Sequence, residues 1–327
     1  MRAYERLLNY VKVWTTSDEE STTSPTTARQ FDLAKLLLEE MKGMGIEDAM
    51  MDEYGYVYGH IPATPGYENC TAIGFLAHMD TAPDYSGENV NPQIIENYDG
   101  KDVVLGTSGR TLTVKDFPSL KSMTGKTLIT TDGTTLLGAD DKAGIAEIMT
   151  VVEELLKGDI PHGNVCLAFT TDEEVGSGAC HMDLERFGAP YAYTVDGGPE
   201  GEIQFENFNA ASAEFVIHGV NVHPGEAKDI MVNSMKIAME LQGMLPEQEA
   251  PEHTEGYEGF FHLMEMNGSV EETTMSYLIR EFDAEKYEAR KVLMQEITAK
   301  INAKYGEGTV ELKLEDSYRN MREMIEP

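Results

Sequence analysis

Apolar positions along the chain fall into blocks with two different periods. Leu7, Leu8, Val11 and Trp14 recur at helical spacing and predict an opening amphipathic helix. After a polar run, Ser24-Pro25 reads as an N-cap followed by a first-turn proline. Phe31, Ala34, Leu37, Leu38 and Met41 then line one face of a second helix, which Gly43 and Gly45 end. Tyr54–Ile61, Thr71–His78, the stretch near Thr127–Thr130, Asn164–Thr170 and Tyr191–Val195 are short apolar runs of strand type, and a helix is predicted over Lys142–Lys157. Strands alternating with helices predict an α/β domain with a mostly parallel, twisted sheet. From Ala210 the pattern changes to strand Ala213–His218, helix Ile230–Met244 and strands Tyr257–Met266 and Thr273–Phe282. Asn267-Gly268 between those two strands is a hairpin signal. Helix Ala284–Tyr305 and strand Thr309–Leu314 complete a β-α-β-β-α-β order, the ferredoxin-like arrangement.

Polar groups gather where three predicted strands end: His78-Met79-Asp80, Asp172-Glu173-Glu174 and Asp196-Gly197-Gly198. In open α/β sheets that edge is where ligands bind. A further acidic pair, Asp140-Asp141, sits between Gly138 and Gly144 at a helix start. Taken singly, an aspartate there caps a helix, Glu173-Glu174 is a solvated turn and His78 an ordinary strand-end residue. Their placement on one edge predicts instead that they converge. Histidine and carboxylates without cysteine suit a hydrolytic zinc, cobalt or manganese site. His78 and Asp80, two apart on extended chain, point the same way, so that one binds metal and the other supports it. Asp140 is placed to bridge two metals. Glu173 and Glu174 diverge, one to ligate and the other to face the attacking water as general base. The expectation is a dinuclear metal site.

Composition narrows the partners. The 327 residues are enough for about two domains. Twenty-five basic against 58 acidic residues give a formal charge of −33, which argues against nucleic acid and anionic membrane as partners. Cys70, Cys166 and Cys180 are odd in number and widely spaced, so no disulfide framework is expected. Arg2, Glu5, Arg6 and Lys12 interrupt any signal-like apolar run, and no segment is apolar enough to span a bilayer. A soluble, cytoplasmic protein is expected.

Six longer runs carry a resemblance: AHMDTAPDYSGENVNPQI, TTDGTTLLGADDKAGIAEI, AFTTDEEVGSGA, YTVDGG, FENFNAASAEFVIHGVNVHPGEAKDIMVNS and PEHTEGYEGFFHL. They resemble the peptidase T family, bacterial tripeptide aminopeptidases among the zinc metallopeptidases that also include glutamate carboxypeptidases and aminoacylases. The resemblance runs from the N-terminus to about Met324. It implies a zinc-dependent cytoplasmic homodimer that releases the N-terminal residue of tripeptides. It also implies a catalytic domain over 1–208, a ferredoxin-like dimerisation domain over 209–316 and the start of a return to the catalytic domain over 317–327. By the same resemblance His78 and Asp196 bind one metal, Asp140 bridges both and Glu174 binds the second. Glu173 is the general base, Asp80 orients His78, and the Asp140-Asp141 peptide is cis. His223 is implied to stabilise the oxyanion in the partner subunit's site, and Asn233 and Arg280 to hold the substrate carboxylate. The family pattern draws a further histidine for the second metal from the return segment. The sequence stops at Pro327, about where that return begins, and none of His60, His162, His181, His253 and His262 has a matching context. Two zinc ions are therefore expected in the complete pattern, with one well held here by His78, Asp140 and Asp196. The alternative readings are a weakly metallated, non-catalytic homologue and a related dipeptidase or N-acyl amino acid deacylase.

Overall fold

The computed structural model describes residues 1–325; Glu326 and Pro327, the last two positions of the expected return segment, lie outside the described residues. The chain divides into two compact units, Met1–Glu200 and Gly201 onward.

In the first unit, α1 (Ala3–Tyr10) and α2 (Gln30–Gly43) precede β1 (Met50–Met51), β2 (Val57–Ile61) and β3 (Ile73–His78). Four short strands follow, β4 (Gln93–Ile95), β5 (Val103–Val104), β6 (Thr111–Leu112) and β7 (Leu128–Thr130), then α3 (Ala139–Leu155), β8 (Val165–Thr170), α4 (Leu184–Phe187) and β9 (Tyr191–Thr194). The main sheet has the order β1-β2-β8-β3-β9. β8, β3 and β9 run parallel; on the β8 side β2 pairs antiparallel with β8, and β1 antiparallel with β2. The predicted strand near Thr127–Thr130 forms, but pairs with β4 as a separate two-stranded ribbon.

Alternation along β8 explains the layering. Leu167 and Phe169 join Leu33, Leu37 and Met41 of α2 and Ile145, Met149 and Val152 of α3 in one core. Cys166 and Ala168, facing the other way, pack with Tyr56, Tyr58 and Phe187. Both faces of the sheet are thus covered, as a strand buried along its whole length requires. The proline reading at the second helix is corrected: α2 begins only at Gln30, and Ser24–Pro25 is a cis peptide in the preceding loop. The Thr26 backbone N–H is held by the Asp172 carboxylate at 2.8 Å, so this segment is drawn out of any helical turn.

In the second unit β10 (Asn209–His218), α5 (Ser234–Gln242), β11 (Phe260–Gly268), β12 (Glu272–Glu281), α6 (Ala284–Tyr305), β13 (Val310–Tyr318) and α7 (Arg322–Ile325) follow in order. The antiparallel sheet β11-β12-β10-β13 has ferredoxin-like strand order. Ala211, Ala213, Phe215 and Ile217 alternate along β10 into a core with Ile237 and Leu241 of α5 and Met294, Ile297 and Ile301 of α6. The hairpin turn differs from expectation. Asn267 and Gly268 pair with Thr274 and Thr273 inside the ladder, and the reversal falls at Ser269, whose N–H donates to the Glu272 carbonyl at 2.7 Å. Glycine serves strand approach at 268, because a Cβ there would sit 2.4 Å from the Thr273 hydroxyl.

Candidate active site

Parallel pairing sets three strand ends at one edge. His78 closes β3 opposite Thr170 at the end of β8, and beyond β9 the Val195 N–H donates to the Leu76 carbonyl at 2.8 Å. Asp80, Glu173, Glu174 and Asp196 follow directly from these ends. The fourth contribution comes from α3, where the Asp140–Asp141 peptide is cis and regular helix begins only at Lys142.

These residues converge on His78, which is 2% exposed. Its Nε2 lies 2.9 Å from Asp140 Oδ1, 3.8 Å from Glu173 Oε2 and 3.8 Å from Asp196 Oδ2. Donor atoms of His78, Glu173 and Asp196 all fall within 4.8 Å of one another, as do those of His78, Asp140 and Glu174. One imidazole is therefore common to two overlapping donor sets. A cavity of about 320 Å³ opens beside them, lined by His78, Glu173, Asp196, Gly176, Gly178 and Met182.

Two buried aspartates hold the donors in place. Asp80 receives the Glu173 N–H on Oδ1 at 3.0 Å and the Glu174 N–H on Oδ2 at 3.1 Å. His78 Nδ1 lies 3.0 Å from the Asp80 carbonyl and 3.3 Å from its carboxylate. Asp80 thus links the β3 and β8 turns, beyond the support of His78 expected from spacing. Asp141, which the motif reading did not single out, accepts the His78 backbone N–H on Oδ2 and the Gly144 N–H on Oδ1, both at 3.2 Å. Burial, chiefly, pushes its carboxyl up to about 8.

The electrostatics favour a cation. Burial disfavours a charged His78, yet the Asp80 hydrogen bond and the surrounding carboxylates raise its imidazole to about 10. Burial first, and neighbouring acids second, push Glu173, Glu174 and Asp196 above the usual carboxylate range. Lys142 is buried as well; its Nζ donates to the Val13 carbonyl at 2.8 Å, and burial lowers it to about 7. An excess of oxygen donors around one nitrogen donor, with no thiolate, fits Zn²⁺, Mn²⁺ or Co²⁺.

His223, Asn233 and Arg280 lie in the second unit. His223 is exposed, and its Nδ1 accepts the Gly225 N–H at 3.1 Å. Asn233 caps α5, with Oδ1 accepting from the Lys236 N–H at 3.3 Å. Arg280, on β12, donates from Nη1 to the Ile279 carbonyl at 2.9 Å and lies over the Tyr318 ring.

Residues 205–309 match the family described as a peptidase dimerisation domain, and residues 122–254 match the one described as M42 glutamyl aminopeptidase. Peptidase T of Clostridium novyi is 56% identical over 324 residues, covering 98% of this chain and 79% of that protein. Peptidase T of Geobacillus kaustophilus is 56% identical over 325 residues, covering 99% of this chain and 79% of its own length. The chain belongs to the peptidase T family. It is accordingly a peptidase. Among solved structures, aminopeptidase PepT from Bacillus cereus superposes with a TM-score of 0.75 at 24% identity, over 98% of this chain and 76% of that one. A tripeptidase from Staphylococcus aureus gives 0.73 at 22% identity, over the same shares of the two chains. Both likenesses bear on the fold. A dinuclear metal-binding M20 peptidase from Bacillus subtilis shares it at a TM-score of 0.60 and 14% identity, over 97% of this chain and 75% of that one.

Proposed function

We propose that the chain is a zinc-dependent aminopeptidase that releases the N-terminal residue of tripeptides and works as a cytoplasmic homodimer. The observation that carries this reading is the buried His78 imidazole shared by two sets of carboxylate donors, in a chain 56% identical to peptidases T. The dinuclear character of the Bacillus subtilis relative supports two metals. His78 and Asp196 would hold one zinc, Glu174 the other, and Asp140 both. Bound there, zinc would supply a lowered water pKa, about 7, and polarisation of the scissile carbonyl.

The remaining work falls to this chain's own groups. Glu173 takes a proton from the attacking water on its carboxylate and delivers it to the departing amine. Asp80 keeps His78 oriented and fixes both backbone N–H groups of the Glu173-Glu174 turn. His223 accepts on Nδ1, which leaves Nε2–H to donate to the oxyanion in the partner subunit's site. The Asn233 Oδ1 is engaged in the helix cap. Its amide nitrogen is thereby turned into the available donor for the substrate carboxylate, together with Arg280.

A substrate panel tests the reading. Free tripeptides are expected to lose their N-terminal residue, and N-acetylated ones to resist; faster cleavage of N-acyl substrates would move the chain to the deacylases. Zinc content below one per chain without turnover would favour the non-catalytic alternative. Zinc at 100 times its dissociation constant is expected to stabilise the fold by about 2.7 kcal/mol. Thermal denaturation of the unit that holds the site, Met1–Glu200, should show this as a rise of roughly 5–10 °C. Asp80→Asn is expected to weaken zinc about 10–100-fold by competition against a chelator, because one of the two backbone N–H groups would then face an amide donor.

A further inference from the structure

Three of the four turns that carry a proposed ligand, those of His78, Asp140 and Glu174, also touch one remote stretch of chain, Val13–Gln30. Val13 accepts the Lys142 ammonium beside the Asp140–Asp141 turn. Thr16 pairs with Thr81 as a parallel bridge directly after Asp80, and the Ser17 N–H donates to the Thr81 carbonyl at 3.2 Å. Thr27 closes the strap on itself through its hydroxyl to the Thr16 carbonyl at 2.8 Å. The densest contact is with Asp172, which precedes Glu173. Its Oδ2 accepts the Thr26 N–H at 2.8 Å, and its Oδ1 accepts the Thr26 hydroxyl and the Gln30 amide, each at 2.6 Å. The Asp172 N–H donates back to Gln30 Oε1 at 3.1 Å.

Asp172 is 2% exposed and has φ of +60°, a left-handed conformation. For a residue with a side chain that backbone is strained, and burying a carboxylate adds to the cost. The hydrogen bonds from Thr26 and Gln30 offset both. The left-handed step matters because it sets the direction of the residues after it. With it, the N–H groups of Glu173 and Glu174 face Asp80, and Glu173 Oε2 comes within 3.8 Å of His78.

We infer that Asp172 is a positioning residue for Glu173 and Glu174, with Thr26 and Gln30 as its anchors. The inference rests on the roles proposed above for those two glutamates. Asp172→Asn places an amide donor against the donors of Thr26 and Gln30, and Gln30→Glu places a carboxylate against a carboxylate. The double variant Asp172→Asn/Gln30→Glu restores one donor and one acceptor across the contact. Thr26→Val removes a single hydroxyl donor and serves if either of the others fails to fold. Zinc affinity, read by chelator competition and independent of turnover, is expected to fall about 10–100-fold in the single variants. On tripeptide, kcat should fall at least about tenfold with KM within about twofold, the signature of a displaced transition-state group rather than lost binding. The double variant should recover most of both. Folded single variants with wild-type zinc affinity and kcat, or a double variant no better than the singles, would overturn the assignment. If wild-type protein fails to cleave tripeptides while the zinc pattern holds, the proposed function falls and the positioning role stands.

Discussion

Glu173→Gln is expected to lower kcat on tripeptides by about 10²–10⁴-fold, the range that a general base contributes, with zinc content per chain unchanged. Glutamine keeps the size and the backbone of the side chain, so the Glu173 N–H still reaches Asp80 and the turn keeps its shape. What is lost is the ability to accept and return a proton. The carboxyl is well suited to that task, since burial, then the carboxylates of Asp196, Asp80 and Asp140, hold it above the usual carboxylate range despite the opposing pull of His78. Metal analysis and steady-state kinetics on the same preparation check the outcome. Turnover near wild type would remove Glu173 as the base. Lost zinc would make it a ligand, which its place in a donor set with His78 and Asp196 also permits geometrically.

Gly144→Ala is expected to damage fold and site together. A Cβ at this position would lie 1.8 Å from the Val195 carbonyl oxygen and 2.4 Å from Asp141 Oδ1. Neither neighbour yields cheaply. Val195 extends the pairing beyond β9 through its N–H on Leu76 and directly precedes Asp196. Asp141 is buried between the N–H groups of His78 and Gly144. Overpacking of this kind costs about 3 kcal/mol, at or above the upper end for one inserted methyl group. For the unit that holds the site, Met1–Glu200, that lowers Tm by roughly 6–12 °C. Because the displaced atoms adjoin proposed ligands from two different turns, chelator competition should also show weaker zinc binding. A variant with wild-type Tm would mean that α3 can slide away from β9.

What could be read from residues alone follows the range of each interaction. The strand ends that carry the proposed ligands were legible as one edge because a short apolar run followed by acids is a local pattern, and parallel pairing does the rest. The β-α-β-β-α-β order was legible because period-2 and period-3.6 stretches differ strongly over Ala213–Leu314. Two local signals misled. Pro25 sits in a loop pulled toward Asp172, and Gly268 allows close strand approach rather than a turn. Asp141, Asp172 and Lys142 were missed as supports for a common reason. Each is an ordinary polar residue in its own neighbourhood and gains its role from a partner 63, 146 or 129 positions away. Periodicity reports that a site is buried, not which distant group satisfies it.

The strap has a bearing on the order in which the molecule is made. Thr26 and Asp172 are 146 positions apart, so a ribosome adding about 5–20 residues per second separates their emergence by roughly 7–30 s. During the first part of that interval Val13–Gln30 has none of Thr81, Lys142 or Asp172 to hold to, and Asp172 is missing until its end, so the strap must be kept available rather than committed to local helix. A segment poor in apolar side chains and rich in threonine and serine, as Thr15–Thr27 is, stays solvated while it waits. The earliest-made part of this region is therefore among the last to be locked, and the nascent chain gains an ordered candidate metal-binding edge only after the β8 turn has been synthesised.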